Sequence, residues 1–517
     1  MLRNKYLYVT LMAVLGLTPE ALAQSNLQYA PRLVVTITID QLRTDYMEAF
    51  SPLYGDGGFK RLLQQGKVFT NASYPFSPID RASATASLST GVTPYYHGIV
   101  SEKWLNRETL RPVLATGDDY TAANLSTSTL GDELKVATQG KAIVYSVAPF
   151  ADAAIMSAGH AADAALWIDG ANGKWRTSKY YLNELSTWLL TYNVLHSPGY
   201  EENPLLWEPV MELSGAFNYY QHNVAEQKPF KHKFSGNRRY DQLKASGMVN
   251  EYVTDFAENL VLQTMMGTDR VTDLLSLTYY AGTFDHKPMS ECQLELQDTY
   301  VRLDAQLERL ISGLEQRLGA GNLLFVVTST GFSDNESAAY DKYRIPTGTF
   351  YMNRTANLLN MYFGAIWGQG RWVETCFGSQ LFLNHKLLES KRVSLTDAGQ
   401  RAQEFLSQLS GVRNVYTGLQ LLTSTSEITR KIRSGYNPEH CGDILIEVSP
   451  GWKIQNEDNQ ETRLSRASFI QFPIIFYGVE APKDTIDDHV TVDRIAPTIA
   501  KTIRIRAPNA CSAEPLF

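Results

Sequence analysis

Hydrophobic positions fall along this chain in two rhythms. Unbroken apolar, β-branched runs occupy Leu33–Asp40 and residues 274–280, 322–330 and 471–478. Runs of this kind, without strict alternation, predict strands buried on both faces, as in a parallel sheet covered by helices. Shorter runs at 67–70, 142–147 and 165–169 predict further strands. Between them apolar residues recur at helical spacing over 45–65, 80–89, 125–138, 180–195, 250–266, 291–317 and 490–502. Gly66 stops the first of these helices, and Asp80 can cap the second. The alternation predicts an α/β fold, with a doubly wound, mostly parallel sheet flanked by helices.

Two stretches break the rhythm. Residues 197–249 are aromatic, polar and rich in turn formers, and predict an inserted cap without a core of its own. Residues 347–450 predict a second inserted lobe, with strands near Trp372 and Leu381 and at 443–448, and a helix over 395–409. The core is then 24–346 and 451–517, behind a leader at 1–23. Arg3 and Lys5 precede an apolar stretch, 6–17, which ends in the small-residue site Ala21-Leu22-Ala23. That pattern predicts an export signal, a mature chain starting at Gln24, and a periplasmic or cell-envelope location. The stretch is too short to cross a bilayer and no other apolar run is long enough, so a membrane-spanning protein is not expected.

Composition narrows the function less. The chain has 517 residues, 44% hydrophobic and 20% charged, with a formal net charge of −7. Its most basic stretch, 228–239, is short and mixed, so a nucleic-acid partner is not expected. Cys292, Cys376, Cys441 and Cys511 lie far apart and lack metal-site spacing. In an exported chain they leave disulfides and free thiols equally open.

The chemistry rests on a series of motifs. Asp40 ends the first strand, where open α/β sheets gather their ligands. Gly57-Gly58-Phe59-Lys60-Arg61-Leu62, Tyr74-Pro75-Phe76-Ser77-Pro78, Ser87-Leu88-Ser89-Thr90-Gly91 and Pro94-Tyr95-Tyr96-His97-Gly98-Ile99 follow in order. The series resembles the alkaline phosphatase superfamily, in its type I phosphodiesterase/nucleotide pyrophosphatase branch, and is most like the periplasmic alkaline phosphatases with a threonine nucleophile. The likeness returns at residues 298–304, 384–386, 450–452 and 476–478, and so covers most of the chain.

The resemblance implies two zinc ions about 4 Å apart, held by His and Asp, that activate the nucleophile and stabilise the leaving oxygen. Position by position, this chain departs from that set. Asp40 matches the first zinc ligand. The nucleophile position, at the start of the helix that ends in Thr90-Gly91, is Arg81; Ser77, Ser83 and Thr85 are nearby hydroxyls that do not match it. The Asp-x-x-x-His motif keeps His286, but Gly282 stands at its Asp, and Asp285 has the wrong spacing. Thr330 and Gly331 replace the Asp-His that closes a buried strand, and Thr462 falls near the last ligand His. The anion-holding Lys-x-Arg positions are Phe150 and Asp152, and the anion-holding Asn is Glu102. His97 and His160 read as satisfied, partly buried histidines.

These substitutions predict a pseudoenzyme that keeps the fold, has no catalytic residue or cofactor, and binds or scaffolds another envelope protein. One alternative is a phosphomonoesterase or phosphodiesterase with a rearranged zinc site using Asp40, Asp285 and His286. The other is a carbohydrate- or peptide-binding module built on Trp207, Phe217, Tyr219 and Tyr220. A carboxylate left at a buried strand end needs a proton or a cation. Arg81 is therefore expected to come within about 4 Å of Asp40 and stand in for a zinc ion.

Overall fold

The computed structural model describes residues 30–517 except 201–204, 212–228, 335–339, 341–342, 459 and 465–469. The leader, with Arg3, Lys5 and the Ala21-Leu22-Ala23 site, lies outside the described residues, as do Phe217, Tyr219 and Tyr220.

A ten-stranded sheet forms the centre. Its order runs Asp484–Ile486, Lys67–Ser73, Phe472–Gly478, Leu323–Ser329, Leu33–Asp40, Asp273–Tyr280, Val144–Ala148, Ala164–Ile168 and Trp175–Arg176, with Val490–Thr491 also paired to Lys67–Ser73. Leu33–Asp40 lies between two parallel neighbours, with Asp40 opposite Tyr280 and Ile39 opposite Ser329. Phe472–Gly478 runs antiparallel to both of its partners.

The period of two along a strand sorts its side chains. Leu33, Val35, Ile37 and Ile39 face a core shared with Phe256, Tyr300 and Leu303. Val34 faces the opposite core, with Ala82, Ala84 and Ala86. Asp40 shares Val34's parity, so the strand delivers it to the side covered by the Arg81–Thr90 helix.

Several expected elements end elsewhere. The stretch 45–65 is two helices, Thr44–Phe50 and Phe59–Gln65. Asp304 divides them: its carboxylate accepts the Gly55 and Phe59 N–H groups at 2.9 and 2.7 Å. Any side chain at Gly58 would start 2.3 Å from the Asp304 carbonyl oxygen. The helix expected over 125–138 is Leu130–Ala137, started by a reciprocal Thr129–Asp132 cap. That over 180–195 is Thr187–Leu195. That over 490–502 begins as strand and 3-10 turn before Ile495–Thr502.

Where it is described, the 197–249 stretch packs into the main core rather than around a core of its own. Trp207 is fully buried, packs in the main core, and donates Nε1–H to Asp298 at 2.6 Å. It is therefore no exposed platform for a sugar or peptide. Residues 350–454 gather a separate core around Leu359, Phe363, Trp372 and Ile444, under the sheet Val373–Phe377, Gln380–Leu383, Ile444–Val448, Val412–Thr417. All four cysteines are free, and Cys292, Cys376 and Cys441 are buried. Among the described residues no helix is long and apolar enough to cross a membrane.

Candidate functional site

Arg81 is the first residue of its helix, and the cap fixes its direction. Asp80 accepts the Ser83 N–H at 2.9 Å while Ser83 Oγ bonds back to the Asp80 backbone. The other Asp80 oxygen accepts the Glu102 N–H at 2.5 Å, tying the neighbouring loop to the same cap.

From that cap the Arg81 guanidinium enters a ring of carboxylates. Its Nε donates to both oxygens of Asp152, at 3.1 and 3.0 Å. Its Nη1 lies 3.6 Å from Asp40 Oδ2. The plane rests on Phe150, with 3.8 Å between the guanidinium carbon and the ring centre. The geometry thus brings together Asp40, Arg81 and the Phe150–Asp152 pair, from three separate stretches of the sequence.

Asp40 is 1% exposed and only half satisfied. Oδ1 accepts from Thr330 Oγ1 at 2.9 Å, and Thr330 Oγ1 in turn accepts the Gln41 N–H at 2.9 Å. Among the described residues Oδ2 has no hydrogen bond, only the charge of Arg81. Burial pushes the Asp40 carboxyl up to about 6, against the lowering effect of Arg81. Burial also opposes the charge on Arg81, but Asp152, Asp40 and Glu102 outweigh it and hold the guanidinium above its usual value. Glu102 is raised, chiefly by Asp152 and then by burial.

A second polar group continues from this one toward solvent. Gln41, left-handed at φ 65, donates to Asp334 at 2.6 Å and accepts the Asp334 N–H at 2.9 Å. Asp334 also pairs with His286 Nδ1 at 2.6 Å, which raises the His286 pKa. Sequence reasoning missed Gln41 and Asp334. The one signal for Gln41 is its place directly after the strand-ending Asp40; nothing local marks Asp334.

The remaining positions do not assemble into a metal centre. Asp285 accepts from Arg238 at 2.8 Å, and among the described residues it does not join Asp40 and His286 in a group that could hold a metal ion. A side chain at Gly282 would start 2.5 Å from the Tyr280 hydroxyl. Gly331 has φ +68, and a side chain there would start 2.5 Å from the Tyr74 ring. Thr462 is exposed on the Glu461–Leu464 strand of a small separate sheet. Zinc needs several nitrogen, sulfur or carboxylate donors converging on one point. Among the described residues no three His, Cys, Asp or Glu side chains converge in that way. At the one retained carboxylate a metal would meet Arg81, so the residues present do not fit a zinc pair. Of the two histidines expected to be partly buried, His97 is fully buried and bonded to Ser87 at 2.9 Å, whereas His160 is exposed.

The chain is similar over nearly its whole length to known proteins. It is 25% identical over 511 residues to alkaline phosphatase PhoV of Synechococcus elongatus, covering 93% of this chain and 91% of that one. It is 27% identical over 527 residues to a calcium-transporting ATPase of Myroides odoratus, covering 94% of each chain. The crystal structure of alkaline phosphatase PafA superposes with a TM-score of 0.80 at 24% identity, over 95% of this chain and 99% of that one, a likeness of fold. The sequence model of type I phosphodiesterase / nucleotide pyrophosphatase matches residues 34–468, from the strand that carries Asp40 to beyond the second lobe. With the sheet order, the strand-end aspartate and this match in agreement, the chain belongs to the type I phosphodiesterase/nucleotide pyrophosphatase family, on the alkaline-phosphatase fold.

Proposed function

We propose that this chain keeps the fold of a phosphoester hydrolase family and has given up its two-metal chemistry, serving as a binding or scaffolding protein of the cell envelope. The observation that carries the reading is the Arg81 guanidinium, lodged between Asp152 and Asp40 on the Phe150 ring. On this reading it stands in for the metal pair that would polarise a phosphoryl group. The surrounding charge supports the same reading. A phosphate entering here would meet Glu102 and Asp152 where an anion pocket needs donors, and like charges in a buried site repel strongly. The Ala21-Leu22-Ala23 signature supports export, and another envelope protein is the partner that this location suggests.

The names of two relatives favour a second reading, an active phosphoester hydrolase. An aryl-phosphate assay separates the two. Turnover should stay at the buffer blank with and without added zinc, and Asp40→Ala should leave it unchanged. Turnover well above the blank that Asp40→Ala abolishes would overturn the proposal.

A further inference from the structure

The Pro94-Tyr95-Tyr96-His97 motif lies outside the Arg81 cluster, and nothing in that cluster uses its tyrosines. It forms a single helical turn, Pro94–His97, which presents two tyrosines to solvent, 39% and 57% exposed. Their rings meet edge to face at 5.0 Å.

The platform beneath them is rigid. His97 is fully buried and bonded to Ser87 Oγ, and its Nδ1 accepts the Ile99 N–H at 3.1 Å. Gly98 closes the turn at φ +82, a conformation suited to glycine, and its carbonyl meets His440 Nδ1 at 2.6 Å. Asn437 donates to the Tyr95 carbonyl at 3.3 Å. The exposure of the pair is therefore built in by the fold.

The tyrosines line a cleft of about 290 Å³ together with Thr93, Leu422, Arg433 and Ser434. No carboxylate lines it. Arg433 spends Nη1 on the Ser424 carbonyl. Neither tyrosine hydroxyl, nor that of Ser434, has a hydrogen-bond partner among the described residues. The cleft thus offers aromatic faces, one apolar side chain, free hydroxyls and the remaining guanidinium N–H groups.

Such a lining suits a ligand with an apolar ring face and a rim of neutral hydroxyls. Ligand clefts begin at about 300 Å³ and combine apolar lining with a few placed polar groups. Tyrosine supplies rigid, amphipathic contact area at little entropic cost. We infer that the Tyr95–Tyr96 cleft is a saccharide subsite, sized for one or two pyranose rings, with a ring stacked on an exposed tyrosine face and its hydroxyls bonded to Arg433 and Ser434. This goes beyond the proposed binding role and does not depend on whether the Arg81 cluster turns over phosphate.

The test is saturation-transfer NMR and calorimetry on the full mature chain, with maltotriose and triacetylchitotriose as probes. At least one probe should show transfer to its ring C–H protons. Tyr96→Ala should weaken that binding about tenfold, and Tyr96→Phe should retain most of it, since stacking survives without the hydroxyl. Unchanged melting temperatures would confirm that both variants fold. Leu190→Ala, at an exposed residue that does not line the cleft, should bind as the parent does. Absence of transfer from both sugars at millimolar concentration, or equal binding by parent and Tyr96→Ala, would overturn the assignment.

Discussion

Two buried aspartates of this chain each face an arginine, and they are held very differently. Asp443 receives both ends of the Arg107 guanidinium at 3.1 Å, the Leu383 N–H at 2.8 Å and His385 Nε2 at 2.9 Å. Those partners outweigh burial and hold its carboxyl below the usual range. Asp40 has one hydroxyl donor and an arginine at 3.6 Å without a hydrogen bond, and its carboxyl rises to about 6. Asp443 has the partners of an ion pair built for structure. Asp40 has one oxygen without a hydrogen bond among the described residues and only the Arg81 charge beside it. A fork fits a carboxylate best when both of its arms can reach, and Arg81 gives its better geometry to Asp152.

That contrast is sharpest when the arginine is removed. Arg81→Leu leaves Asp40, Asp152 and Glu102 without their shared cation, and should cost roughly 3–5 kcal/mol of unfolding free energy. Asp40→Asn combined with Arg81→Leu should cost less than the sum of the two single changes, as expected for groups in one network. Chemical denaturation of the three variants measures this, and strict additivity would break the pairing.

Arg107→Ala should cost less, roughly 1–3 kcal/mol. Arg107 is partly solvated, and Asp443 keeps the Leu383 N–H and His385 after its loss. A cost equal to that of Arg81→Leu would remove the distinction between the two sites.

The two carboxylates should also respond to pH in opposite directions. Asp40 has a folded pKa raised from 3.8 to about 6. Its contribution is present in full below the unfolded value and is lost as pH rises through about 6. Asp443 has a depressed pKa, so its contribution is present above the unfolded value and is lost as pH falls through the folded one. Asp40→Asn should therefore flatten the stability profile between about pH 4 and 6, by up to about 1.4 kcal/mol per pH unit. Asp443→Asn should flatten the acid limb below about pH 4. The same slope change in both variants would contradict the assignment.

How much of this could be read from residues alone follows from the range of the interactions. The Leu33–Asp40 strand and the Asp80 cap are local patterns, and both appear where their sequence places them. The proximity of Arg81 to Asp40 could be anticipated because the resemblance put both at the same functional position. The Asp304 carboxylate that divides residues 45–65 could not, because it arrives from a helix far along the chain. Trp207 looked like part of a polar cap, and only Asp298, across the fold, gives its indole N–H a buried partner. Asp334 leaves no local mark, since its role comes from Gln41 and His286 meeting it in space. The resemblance marks Gly282 and Gly331 as positions without a ligand side chain, but the Tyr280 and Tyr74 side chains that close on them leave no local mark.

A guanidinium in place of a metal pair, as proposed, implies a chain that holds no zinc pair. Elemental analysis of the purified mature chain, dialysed against micromolar zinc and then against metal-free buffer, tests it most directly. The account predicts well under two zinc per chain, with the value unchanged in Asp40→Ala. Two tightly held zinc ions per chain, lost in Asp40→Ala, would contradict it.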